Sequence, residues 1–494
     1  MRLSELVAAT EVEEVSGDAE IEISDLAYDS RLAGPGALFF CVPGHDRDGH
    51  DFAARVVEAG AAALVVERSL DIEVTQVEVV DARAAMAPIA ARFWGDPTAE
   101  LQVAGITGTN GKTTTVFLLG RILEATGTPS GLLGTVKQVV GGVEEEVVRT
   151  TPEAIDLQPT FRRMLEAGDR ACVMEVSSHA LALHRADSIH FDVAVFTNLT
   201  QDHLDFHADM EDYFQAKRAL FEMGPAVSVV NIDDPYGRRL AADIDCLTFS
   251  SGGAEADFRA TEVSFDAAGA AFRASSPAGE AEVRTALPGH FNVENALAAL
   301  AAASALGVSL PLAAEALAGP VSIPGRFEPI EEGQPFTVLV DYAHTPDSLD
   351  NVLRAARLLT PGRLISVFGA GGDRDREKRP HMGRIGAELS DLAVVTSDNP
   401  RSEDPAAIIS QILSGIEPGE NGVEVEPDRR LAIGFALRQA GEGDTVLIAG
   451  KGHEQGQEFE GGRKVPFDDR EVAREELRKL EAESGKQKAR GETR

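Results

Sequence analysis

The chain has 494 residues, 46 of them basic and 81 acidic, which gives a formal net charge of -35 at neutral pH. Hydrophobic residues make up 43% and charged residues 26%, a globular composition that excludes global disorder and predicts roughly two to four domains. A surface with this much negative charge disfavours nucleic acid and anionic membranes as partners. An anionic substrate would therefore need a locally positive pocket made of Lys, Arg, backbone N–H groups or a metal ion.

Cysteine use and hydropathy indicate the compartment. Cys41, Cys172 and Cys246 lie far apart without metal-type spacing, which favours a reducing environment over a disulfide framework. The N-terminal segment lacks the basic and apolar regions of a signal peptide, and no uncharged apolar run is long enough to span a bilayer. The sequence therefore predicts a cytoplasmic protein without membrane insertion, and we expect a monomer. The Ala-rich segment 296–306 is predicted to be a core helix.

The first 98 residues alternate short apolar runs with helical patches and end at a Trp-Gly-Asp-Pro sequence that suits a linker. From residue 101 the pattern becomes strand, glycine turn and helix, with the helix predicted at 112–127. Strands are predicted at 101–106, 171–176, 193–197 and 227–231. Strands that alternate with helices indicate a parallel, doubly wound sheet.

A second Pro/Gly break at residues 323–327 begins a third region in which the alternation restarts. Buried strands are predicted there at 336–341, 363–369, 392–397 and 444–450. Each ends in a Gly- or Asp-rich loop at the strand's carboxyl end, where open α/β sheets bind ligands. The predicted domains are therefore 1–98, 99–324 and 325–494, the last two both α/β, and the charged tail from Glu475 is expected to fray into solvent.

A Gly-Thr-Asn-Gly-Lys-Thr-Thr sequence lies between the first central strand and its helix. Its glycines let backbone N–H groups approach phosphate, and a helix N-terminus favours anions. It departs from the strict phosphate-loop motif because Ile106 stands at the first glycine, and a plain strand–helix turn is the alternative. The context favours nucleotide binding by Gly108, Thr109, Asn110, Gly111, Lys112, Thr113 and Thr114.

This loop resembles that of the Mur ligase family, which also includes folylpolyglutamate synthases. Further matching segments follow in the expected order, at 175–179, 198–205, 213–217, 290–295 and 341–346. The resemblance covers nearly the whole chain and implies an ATP-dependent ligase that forms an amide bond through an acyl phosphate. It also implies an α/β fold of three domains: a small N-terminal domain that binds a UDP-sugar, a central P-loop ATPase domain with a parallel sheet, and a Rossmann-like C-terminal domain that binds an amino acid.

The expected metal is Mg²⁺, because it can neutralise ATP and an attacking carboxylate together. Glu175 ends a predicted strand beside the loop, as a metal-binding carboxylate should, although alone it could be an N-cap or surface residue. His203 lies near Asp202, Asp205 and His207; this cluster could suggest zinc, but the phosphate loop favours Mg²⁺. In the family, the histidine that matches His203 lies at the second magnesium.

Lys217 lies on a predicted helix, and a solvated helix lysine is the alternative to any functional role. In the family, the matching lysine is carbamylated by CO₂, which turns a cation into an anion that supports Mg²⁺. A partly desolvated lysine suits this chemistry. The predicted catalytic residues are Lys112, Lys217 and His203, and the predicted metal-binding residues are Thr113, Glu175, His203 and carbamylated Lys217.

The resemblance also assigns residues that contact ATP and the donor substrate. Further ATP contacts are expected at Asn292, Arg326, Asp341 and His344. Segments 29–31 and 44–49 resemble the family's UDP-sugar site, and the predicted contacts to the UDP-muramoyl peptide are Ser30, Thr150, Thr151, Ser177 and Arg185. Leu183 stands where relatives often carry Gln, which removes one donor hydrogen bond.

An Asp-Asn-Pro-Arg motif at 398–401 follows the predicted strand 392–397. In the family, it is typical of members that add meso-diaminopimelate as the third residue of the peptidoglycan stem peptide. An Arg can bind the second carboxylate of diaminopimelate bidentately, whereas lysine has no such carboxylate. A solvated charged loop is the alternative. The predicted diaminopimelate-binding residues are Arg374, Asp398, Asn399, Pro400, Arg401, Gly450 and Glu454.

The sequence therefore predicts a Mg²⁺-dependent ligase of peptidoglycan synthesis whose partners are ATP, UDP-N-acetylmuramoyl-dipeptide and meso-diaminopimelate. Three alternatives stay open: an L-lysine-adding ligase, a folate polyglutamate ligase, and a nucleotide-binding regulatory protein without ligase activity. The 398–401 motif opposes the first, and the N-terminal segments at 29–31 and 44–49 oppose the second. The third is opposed by the retention of all the residues that the chemistry requires: Lys112, Thr113, Glu175, His203 and Lys217.

Overall fold

The computed structural model describes residues 1–44, 47–147, 149–266, 268–417 and 422–491. These residues form three main sheets of five, eleven and six strands, with a separate two-stranded ribbon. No helix among them is both long and apolar enough to cross a membrane. The fold is α/β, as predicted, with the strands of each main sheet lying within one of the three predicted domain ranges.

The N-terminal unit contains α1 (Leu3–Val7), β1 (Glu14–Ser16), β2 (Asp25–Ala27), β3 (Ala37–Phe40), α2 (Ala53–Glu58), β4 (Ala63–Val66), β5 (Thr75–Glu78) and α3 (Ala82–Phe93). Its strand order is β1-β5-β4-β3-β2, and every pair is parallel except β1 with β5. All side chains of β3 and β4 are buried, because helices or loops cover both faces of the sheet.

The central unit contains β6 (Gln102–Thr107), α4 (Lys112–Ala125), β7 (Ser130–Leu133), β8 (Gln138–Val140), β9 (Val143–Glu145), α5 (Ala154–Ala167), β10 (Ala171–Glu175), α6 (Ser178–Ala182), β11 (Val193–Phe196), α7 (Met210–Glu222), β12 (Val227–Asn231), α8 (Pro235–Asp243), β13 (Leu247–Ser250), β14 (Phe258–Asp266), β15 (Gly269–Ser276), β16 (Gly279–Thr285), α9 (His290–Ala305) and α10 (Leu310–Leu317). The order is β16-β15-β14-β13-β12-β11-β6-β10-β7-β8-β9. Strands β14 to β7 in this order are parallel, and antiparallel hairpins extend both edges.

Two features of the central unit position its ligands. The next strand in sequence, β7, lies on one side of β6 beyond β10, whereas β11 pairs directly with β6 on the other side. The loop after β6 therefore opens at the point where the strand order reverses. The predicted core helix is confirmed as α9, in which residues 295–303 are all buried. Its Ala-rich sequence allows the close approach to α4 that holds the start of α4 in place.

The C-terminal unit contains β17 (Glu328–Pro329), β18 (Thr337–Asp341), α11 (Pro346–Leu359), β19 (Leu364–Phe368), α12 (Lys378–Leu389), β20 (Leu392–Val395), α13 (Pro405–Leu413), β21 (Val423–Val425), α14 (Arg429–Gln439), β22 (Thr445–Ala449), β23 (Gly456–Phe459), β24 (Arg463–Pro466) and α15 (Asp469–Gly491). The order of its main sheet is β17-β18-β22-β19-β20-β21, and it is parallel from β18 to β21. The predicted strands correspond to β18, β19, β20 and β22.

The expectation of a frayed tail from Glu475 is wrong, because α15 continues to Gly491. Val472, Ala473 and Leu477 are buried in the apolar cluster beneath α14. Asp469 at the start of α15 accepts two hydrogen bonds from Arg429, of 2.8 and 2.7 Å, and both side chains are fully buried. Apolar residues at helical spacing within the charged sequence therefore attach its first turns to the core.

Candidate active site

A cleft of about 220 Å³ opens between the central and C-terminal units, at the carboxyl ends of β6, β10 and β18. Predicted site residues that line it are Thr109, Asn110, Gly111, Lys112, Thr113, Thr114, Thr150, Glu175, Ser177, His203, Asn292, Arg326, Asp341 and His344. Segments that are far apart in the sequence thus meet in one cleft. Its wall combines the loop after β6 with the start of α9 and residues that follow β18.

The loop after β6 needs glycine at two positions. Gly108 and Gly111 have φ values of 145° and 86°, which disfavour any residue with a Cβ. A Cβ on Gly108 would lie 1.8 Å from Thr197 Oγ1, and one on Gly111 would lie 2.3 Å from Asn295 Oδ1. The two glycines therefore let the loop pass close to its neighbours and turn into α4.

Lys112 folds back over this loop. Its Nζ donates hydrogen bonds to the carbonyl oxygens of Gly108 and Thr109, at 2.9 and 2.8 Å. Burial lowers its pKa. Asn110 joins the loop to the C-terminal unit, because its side-chain amide donates to Asp347 at 2.8 Å. The loop thus presents a cation and the N-terminus of α4 to the cleft, as a phosphate site requires.

Glu175 lies at the centre of this wall and is buried. Its Oε1 accepts from Thr113 Oγ1 at 3.0 Å and from the Thr135 N–H at 2.8 Å, and its Oε2 accepts from Thr135 Oγ1 at 3.0 Å. Arg326 Nη2 donates to Thr113 Oγ1 at 3.0 Å. The hydroxyl and carboxylate oxygens fit the ligand preference of Mg²⁺, and the guanidinium beside them indicates that this position accommodates positive charge.

Within the part of the chain that the structure describes, no group of three or more His, Cys, Asp and Glu side chains could hold a metal ion. A magnesium ion at Thr113 and Glu175 would therefore need further oxygen ligands, from phosphate, water or a modified lysine. This donor set fits Mg²⁺, which keeps several such ligands, and it does not fit a tetrahedral zinc site.

Lys217 is buried behind the phosphate loop, so the alternative of a solvated helix lysine is wrong. Its Nζ donates to the Gly108 carbonyl at 2.8 Å and lies 4.6 Å from the centre of the Tyr213 ring. Burial, with the nearby charge of Lys112, holds the pKa of Lys217 well below its ordinary value. Burial likewise lowers the pKa of His203 to about 3. Both groups therefore favour their neutral forms.

The carboxylate of Asp202 joins the central and C-terminal units. It is buried and lies 3.3 Å from Lys378 Nζ, 3.5 Å from His203 Nε2 and 3.6 Å from His344 Nε2. Burial opposes the charged form, but the charge of Lys378 holds the pKa of Asp202 well below its usual range. The sequence analysis did not identify Lys378, because a buried lysine in a charged run has no distinguishing local pattern.

The predicted donor-binding residues lie in two separate regions, one beside Glu175 in the central unit and one in the N-terminal unit. Thr151 Oγ1 donates to the Glu175 carbonyl at 2.8 Å and accepts from the Ser177 N–H at 3.2 Å. Arg185 Nη1 donates to the Thr151 carbonyl at 3.4 Å. Ser30 does not line the cleft, and its hydroxyl accepts from Arg55 in the N-terminal unit. In the predicted segment 44–49, residues 45 and 46 lie outside the described residues.

The predicted acceptor residues lie together in the C-terminal unit, next to the cleft but outside its lining. Asn399 Nδ2 donates to Glu454 Oε2 at 2.8 Å, and Lys451 Nζ donates to Asn399 Oδ1 and Glu454 Oε2 at 2.8 and 2.7 Å. Tyr342, which lines the cleft, donates to Glu454 Oε1 at 3.5 Å. Lys451, which the sequence analysis missed, lies between two glycines in the same loop as Glu454.

Arg401 has a left-handed backbone, with a φ of 51°. Its Nε donates to Glu458 at 3.0 Å and its Nη1 donates to the Gly372 carbonyl at 2.8 Å. The backbone of Pro400 packs against Gly372, where a Cβ would lie 1.9 Å from the Pro400 carbonyl oxygen. These contacts fix the plane of the guanidinium.

The remaining predicted acceptor residues flank Arg401. A Cβ on Gly450 would lie 2.6 Å from Asp398 Oδ2, so this glycine lets the loop pass close to the carboxylate. Arg374 Nη1 lies 3.7 Å from Asp205 of the central unit. The predicted set is therefore a single cluster that also contacts the loop of His203.

Glu294 also lines the cleft, and the sequence analysis missed it. It lies on α9 between Asn292 and Asn295, its side chain is 29% exposed, and its Oε1 accepts from Ser251 at 3.4 Å. Burial, with the negative charge of Asp233, raises the pKa of Glu294 to about 7. Segment 290–295 was matched to the family as a whole, but no pattern within it distinguishes Glu294, because its burial depends on Ser251 and Asp233 of other segments.

Replacing Glu294 with Gln should stabilise the protein in a pH-dependent way. A carboxyl group whose folded pKa is raised from 4.5 to about 7 stabilises the fold below pH 4.5 and loses that contribution as the pH rises through 7. The amide resembles the protonated form at every pH. Glu294→Gln should therefore match the wild type near pH 4 and exceed its unfolding free energy by about 1–3 kcal/mol near pH 8.

Urea unfolding followed by circular dichroism at the two pH values measures this difference. Glu124→Gln, on the exposed face of α4, is the matched control and should change neither midpoint. Equal midpoints for Glu294→Gln and the wild type at both pH values would show that the carboxyl group is not perturbed.

Comparison with known proteins agrees with this arrangement. The Mur ligase family, catalytic domain, matches residues 22–94; the Mur ligase middle domain matches 106–303; and the Mur ligase, glutamate ligase domain, matches 325–452. The UDP-N-acetylmuramoyl-L-alanyl-D-glutamate--2,6-diaminopimelate ligase of Alkaliphilus metalliredigens is 43% identical over 482 residues, which are 96% of this chain and 97% of that protein.

Two solved structures have the same architecture. A structure of a ligase with the same name as the Alkaliphilus relative has a TM-score of 0.69 at 31% identity, covering 97% of this chain and 99% of the other. The MurF ligase from Thermotoga maritima, solved in complex with ADP, has a TM-score of 0.64 at 20% identity, covering 93% and 97%, and supports the fold alone. The resemblance found in the sequence is confirmed, and the chain belongs to the Mur ligase family.

Proposed function

We propose that the protein is an ATP-dependent ligase of peptidoglycan synthesis that joins meso-diaminopimelate to UDP-N-acetylmuramoyl-L-alanyl-D-glutamate through an acyl phosphate. One observation carries this proposal: Glu175 contacts both the phosphate loop and the predicted donor segment. Thr113 donates to its side chain, and Thr151 donates to its backbone carbonyl. The name of the Alkaliphilus relative, which matches over nearly the full length, supports the same reaction.

The nucleotide site is proposed to bind ATP with Mg²⁺. The Thermotoga MurF ligase, which has the same fold, was solved in complex with ADP. When bound, Mg²⁺ supplies positive charge that neutralises phosphate oxygens during phosphoryl transfer. Lys112 and Arg326 are proposed to bind the terminal phosphates as cations, while Thr113 and Glu175 hold the metal.

The far end of the cleft suits the rest of the nucleotide. Asn292 at the start of α9 is proposed to contact the base, and Asp341 at the end of β18 to contact the ribose. His344 follows β18 and lies 3.6 Å from Asp202, which keeps it near the phosphate end of the cleft. The cleft thereby bridges the central and C-terminal units, so nucleotide binding would hold the two together.

The donor is proposed to bind with its D-glutamyl side-chain carboxylate next to Lys112. This carboxylate attacks the terminal phosphorus of ATP, and ADP leaves, which gives an acyl phosphate. The acyl carbon then carries phosphate, a better leaving group than the oxide of a carboxylate. The diaminopimelate amine then attacks the acyl carbon and loses a proton, and phosphate leaves with the bonding pair. Thr151 and Ser177 are suited to orient the donor, because both lie against the backbone around Glu175.

The acceptor is proposed to bind in the cluster around Arg401. The contacts of Arg401 with Glu458 and the Gly372 carbonyl orient a guanidinium that suits the distal carboxylate of diaminopimelate. Asn399 and Glu454, which Lys451 holds together, are suited to the distal amino group. Because ATP and UDP-linked precursors are cytoplasmic metabolites, we also propose a cytoplasmic enzyme, acting as a monomer.

Lys217 is proposed to be carbamylated. Its neutral amine attacks CO₂ and loses a proton, which gives a carbamate with one negative charge. With the lysine buried behind Gly108, this product would add oxygen ligands near His203 for a second Mg²⁺. The pKa shift of Lys217 supports the reaction, since only the neutral amine is nucleophilic.

Phosphate release tests the proposed reaction. The pure protein with ATP, Mg²⁺ and UDP-N-acetylmuramoyl-L-alanyl-D-glutamate should release phosphate only when meso-diaminopimelate is added, and mass spectrometry should find the amide product. Preference for L-lysine would keep the ligase and contradict the acceptor assignment. Nucleotide binding without turnover on either acceptor would contradict the ligase and favour a regulatory protein.

Arg401→Lys tests the acceptor assignment. Loss of the bidentate pairing should lower kcat/KM for meso-diaminopimelate by about 10- to 100-fold, because hydrogen bonds to charged groups are worth about 1.5–3 kcal/mol. Turnover with L-lysine at high concentration should change less than threefold. Arg384→Lys, on the exposed side of α12, is the control and should leave both acceptors unaffected. Equal losses for the two acceptors would contradict a contact with the distal carboxylate.

Incubation with ¹³C-labelled CO₂ tests the carbamate. The wild type should give a carbamate resonance in the ¹³C spectrum, and Lys217→Met should lack it and lose at least 100-fold in kcat, as expected when a metal-supporting charge is removed. Lys137→Met, whose lysine is partly exposed, should keep both the resonance and the activity. A wild-type spectrum without the resonance at saturating CO₂ would refute carbamylation.

A further inference from the structure

The loop after β22 contacts the central unit through the side chain of His453. This acceptor loop, residues 450–454, carries Gly450 and Glu454 of the predicted acceptor site. Within it, His453 Nε2 donates a hydrogen bond to the Thr135 carbonyl oxygen of the central unit at 3.2 Å. Because a carbonyl oxygen only accepts, this nitrogen carries the proton of the ring. His453 therefore attaches the acceptor loop to the central unit.

The environment of the His453 ring contributes little to stability. Burial lowers the pKa of His453 to about 3, so the ring is neutral and its Nδ1 is an acceptor. Among the residues that the structure describes, this buried nitrogen has no hydrogen-bond partner. A buried acceptor without a partner costs at least as much free energy as one neutral hydrogen bond contributes. Stability alone therefore gives little reason for a histidine at this position.

Thr135 connects His453 to the carboxylate of Glu175. The Thr135 N–H donates to Glu175 Oε1 at 2.8 Å, and the Thr135 hydroxyl donates to Glu175 Oε2 at 3.0 Å. The carbonyl group of the same residue accepts from His453. A displacement of His453 therefore acts on the proposed metal ligand through a single intervening residue.

The acceptor loop also packs against the segment that carries Arg326. Gly325 and Gly452 have φ values of 65° and 54°. A Cβ on Gly325 would lie 2.2 Å from the backbone nitrogen of His453, and one on Gly452 would lie 2.8 Å from the Gly325 carbonyl oxygen. Contacts this close prevent the two segments from shifting independently. Because Arg326 donates to Thr113 of the phosphate loop, the acceptor loop reaches the metal site by a second route.

Tyr342 lies between these two routes. Its ring centroid is 4.5 Å from Arg326 Cζ and 5.3 Å from the centroid of the His453 ring. Its hydroxyl donates to Glu454 at 3.5 Å, the residue that is proposed to bind the distal amino group of the acceptor. A ligand at Glu454 and a phosphate at Arg326 would thus contact opposite sides of one packed cluster.

We propose that His453 is a positioning residue that couples the acceptor loop to the metal-binding side of the cleft. A nucleotide with Mg²⁺ at Thr113 and Glu175 fixes Thr135, and Thr135 then fixes the acceptor loop through His453. By linkage, a ligand at the loop favours the nucleotide-bound arrangement to the same extent. The inference rests on the proposed function and deepens it, because it identifies the residue that holds the acceptor loop against the site of phosphoryl transfer.

Hydrogen exchange of the acceptor loop in the full chain tests this coupling without turnover. The Glu454 N–H, which donates to the Lys451 carbonyl at 3.0 Å, reports the order of the loop. In the wild type, Mg²⁺ with a non-hydrolysable ATP analogue should slow this exchange about 5- to 150-fold, the usual range for two coupled sites. Mass spectrometry of peptides that cover the acceptor loop measures the change.

Three replacements of His453 separate its hydrogen bond from the shape of its ring. His453→Gln keeps an N–H donor of similar reach and should keep most of the protection. His453→Asn is too short to reach the Thr135 carbonyl and His453→Phe has no donor, so in both the analogue should slow exchange less than twofold. Both variants should still bind the analogue, because His453 is not part of the lining of the cleft. His381→Phe, on the exposed face of α12, is the matched control and should behave as the wild type.

The affinity for the acceptor gives a second readout. In calorimetric titrations, the analogue with Mg²⁺ should tighten the binding of meso-diaminopimelate to the wild type by about 5- to 150-fold. In His453→Asn and His453→Phe this ratio should fall below twofold. A purely structural role would instead lower the melting temperature and weaken acceptor binding equally with and without the analogue, which leaves the ratio unchanged.

The outcome is distinguishable from failure of the proposed function. If the wild type releases no phosphate with any acceptor, the ligase assignment fails, and protection of the acceptor loop by the analogue still tests the coupling. Equal protection in the wild type, His453→Asn and His453→Phe would overturn the proposal. A wild-type loop whose exchange does not respond to the analogue would overturn it as well.

Discussion

The buried carboxylate of Glu175 is the interaction on which the cleft depends. Strand β10 pairs in parallel with β6 so that Glu175 lies opposite Ile106, at the edge of the sheet where the phosphate loop begins. A carboxylate that is 1% exposed is stable only when its oxygens are satisfied. Thr113 and Thr135 satisfy them, and these contacts hold the start of α4 and the segment after β7 at one point.

The same point contacts the C-terminal unit. Arg326 donates to Thr113, and His453 donates to the Thr135 carbonyl at 3.2 Å. Further polar contacts across this boundary join Asp202 to Lys378 and Asn110 to Asp347. One apolar contact accompanies them, between the rings of Phe291 and Phe327, whose centroids lie 6.1 Å apart. A boundary with many polar contacts exposes little apolar surface when it opens, so it suits units that move relative to each other. Ligands that bridge the cleft would then bias the closed arrangement.

How far the sequence predicts this structure depends on where the packing partners lie. The central strands were predicted to within about two residues, because burial on both faces leaves continuous apolar runs, as in β12 and β22. The edge hairpins were missed, because β14 alternates buried and exposed side chains and is too polar to stand out. The phosphate loop was found because its glycines and lysine are adjacent in the sequence.

Site residues whose role depends on distant partners were harder to find. Glu294 and Lys378 acquire their environments from elements far away along the chain, and no local pattern marks them. Lys217 is different, because it lies four residues after Tyr213 on the apolar face of α7. Helical periodicity therefore predicts that Lys217 is buried, and the alternative of a solvated lysine did not take this periodicity into account.

Net charge and local charge have separate roles in this protein. At physiological ionic strength, electrostatic interactions between exposed charges are screened over about 8 Å. Most of the acidic residues that give the chain its charge of -35 are therefore remote from an anion in the cleft. Lys112 and Arg326 line the cleft, where water is partly excluded and the attraction between opposite charges is stronger. An acidic protein can thus bind anionic nucleotides, provided that its few cations are held by buried carboxylates and carbonyls rather than left in solvent.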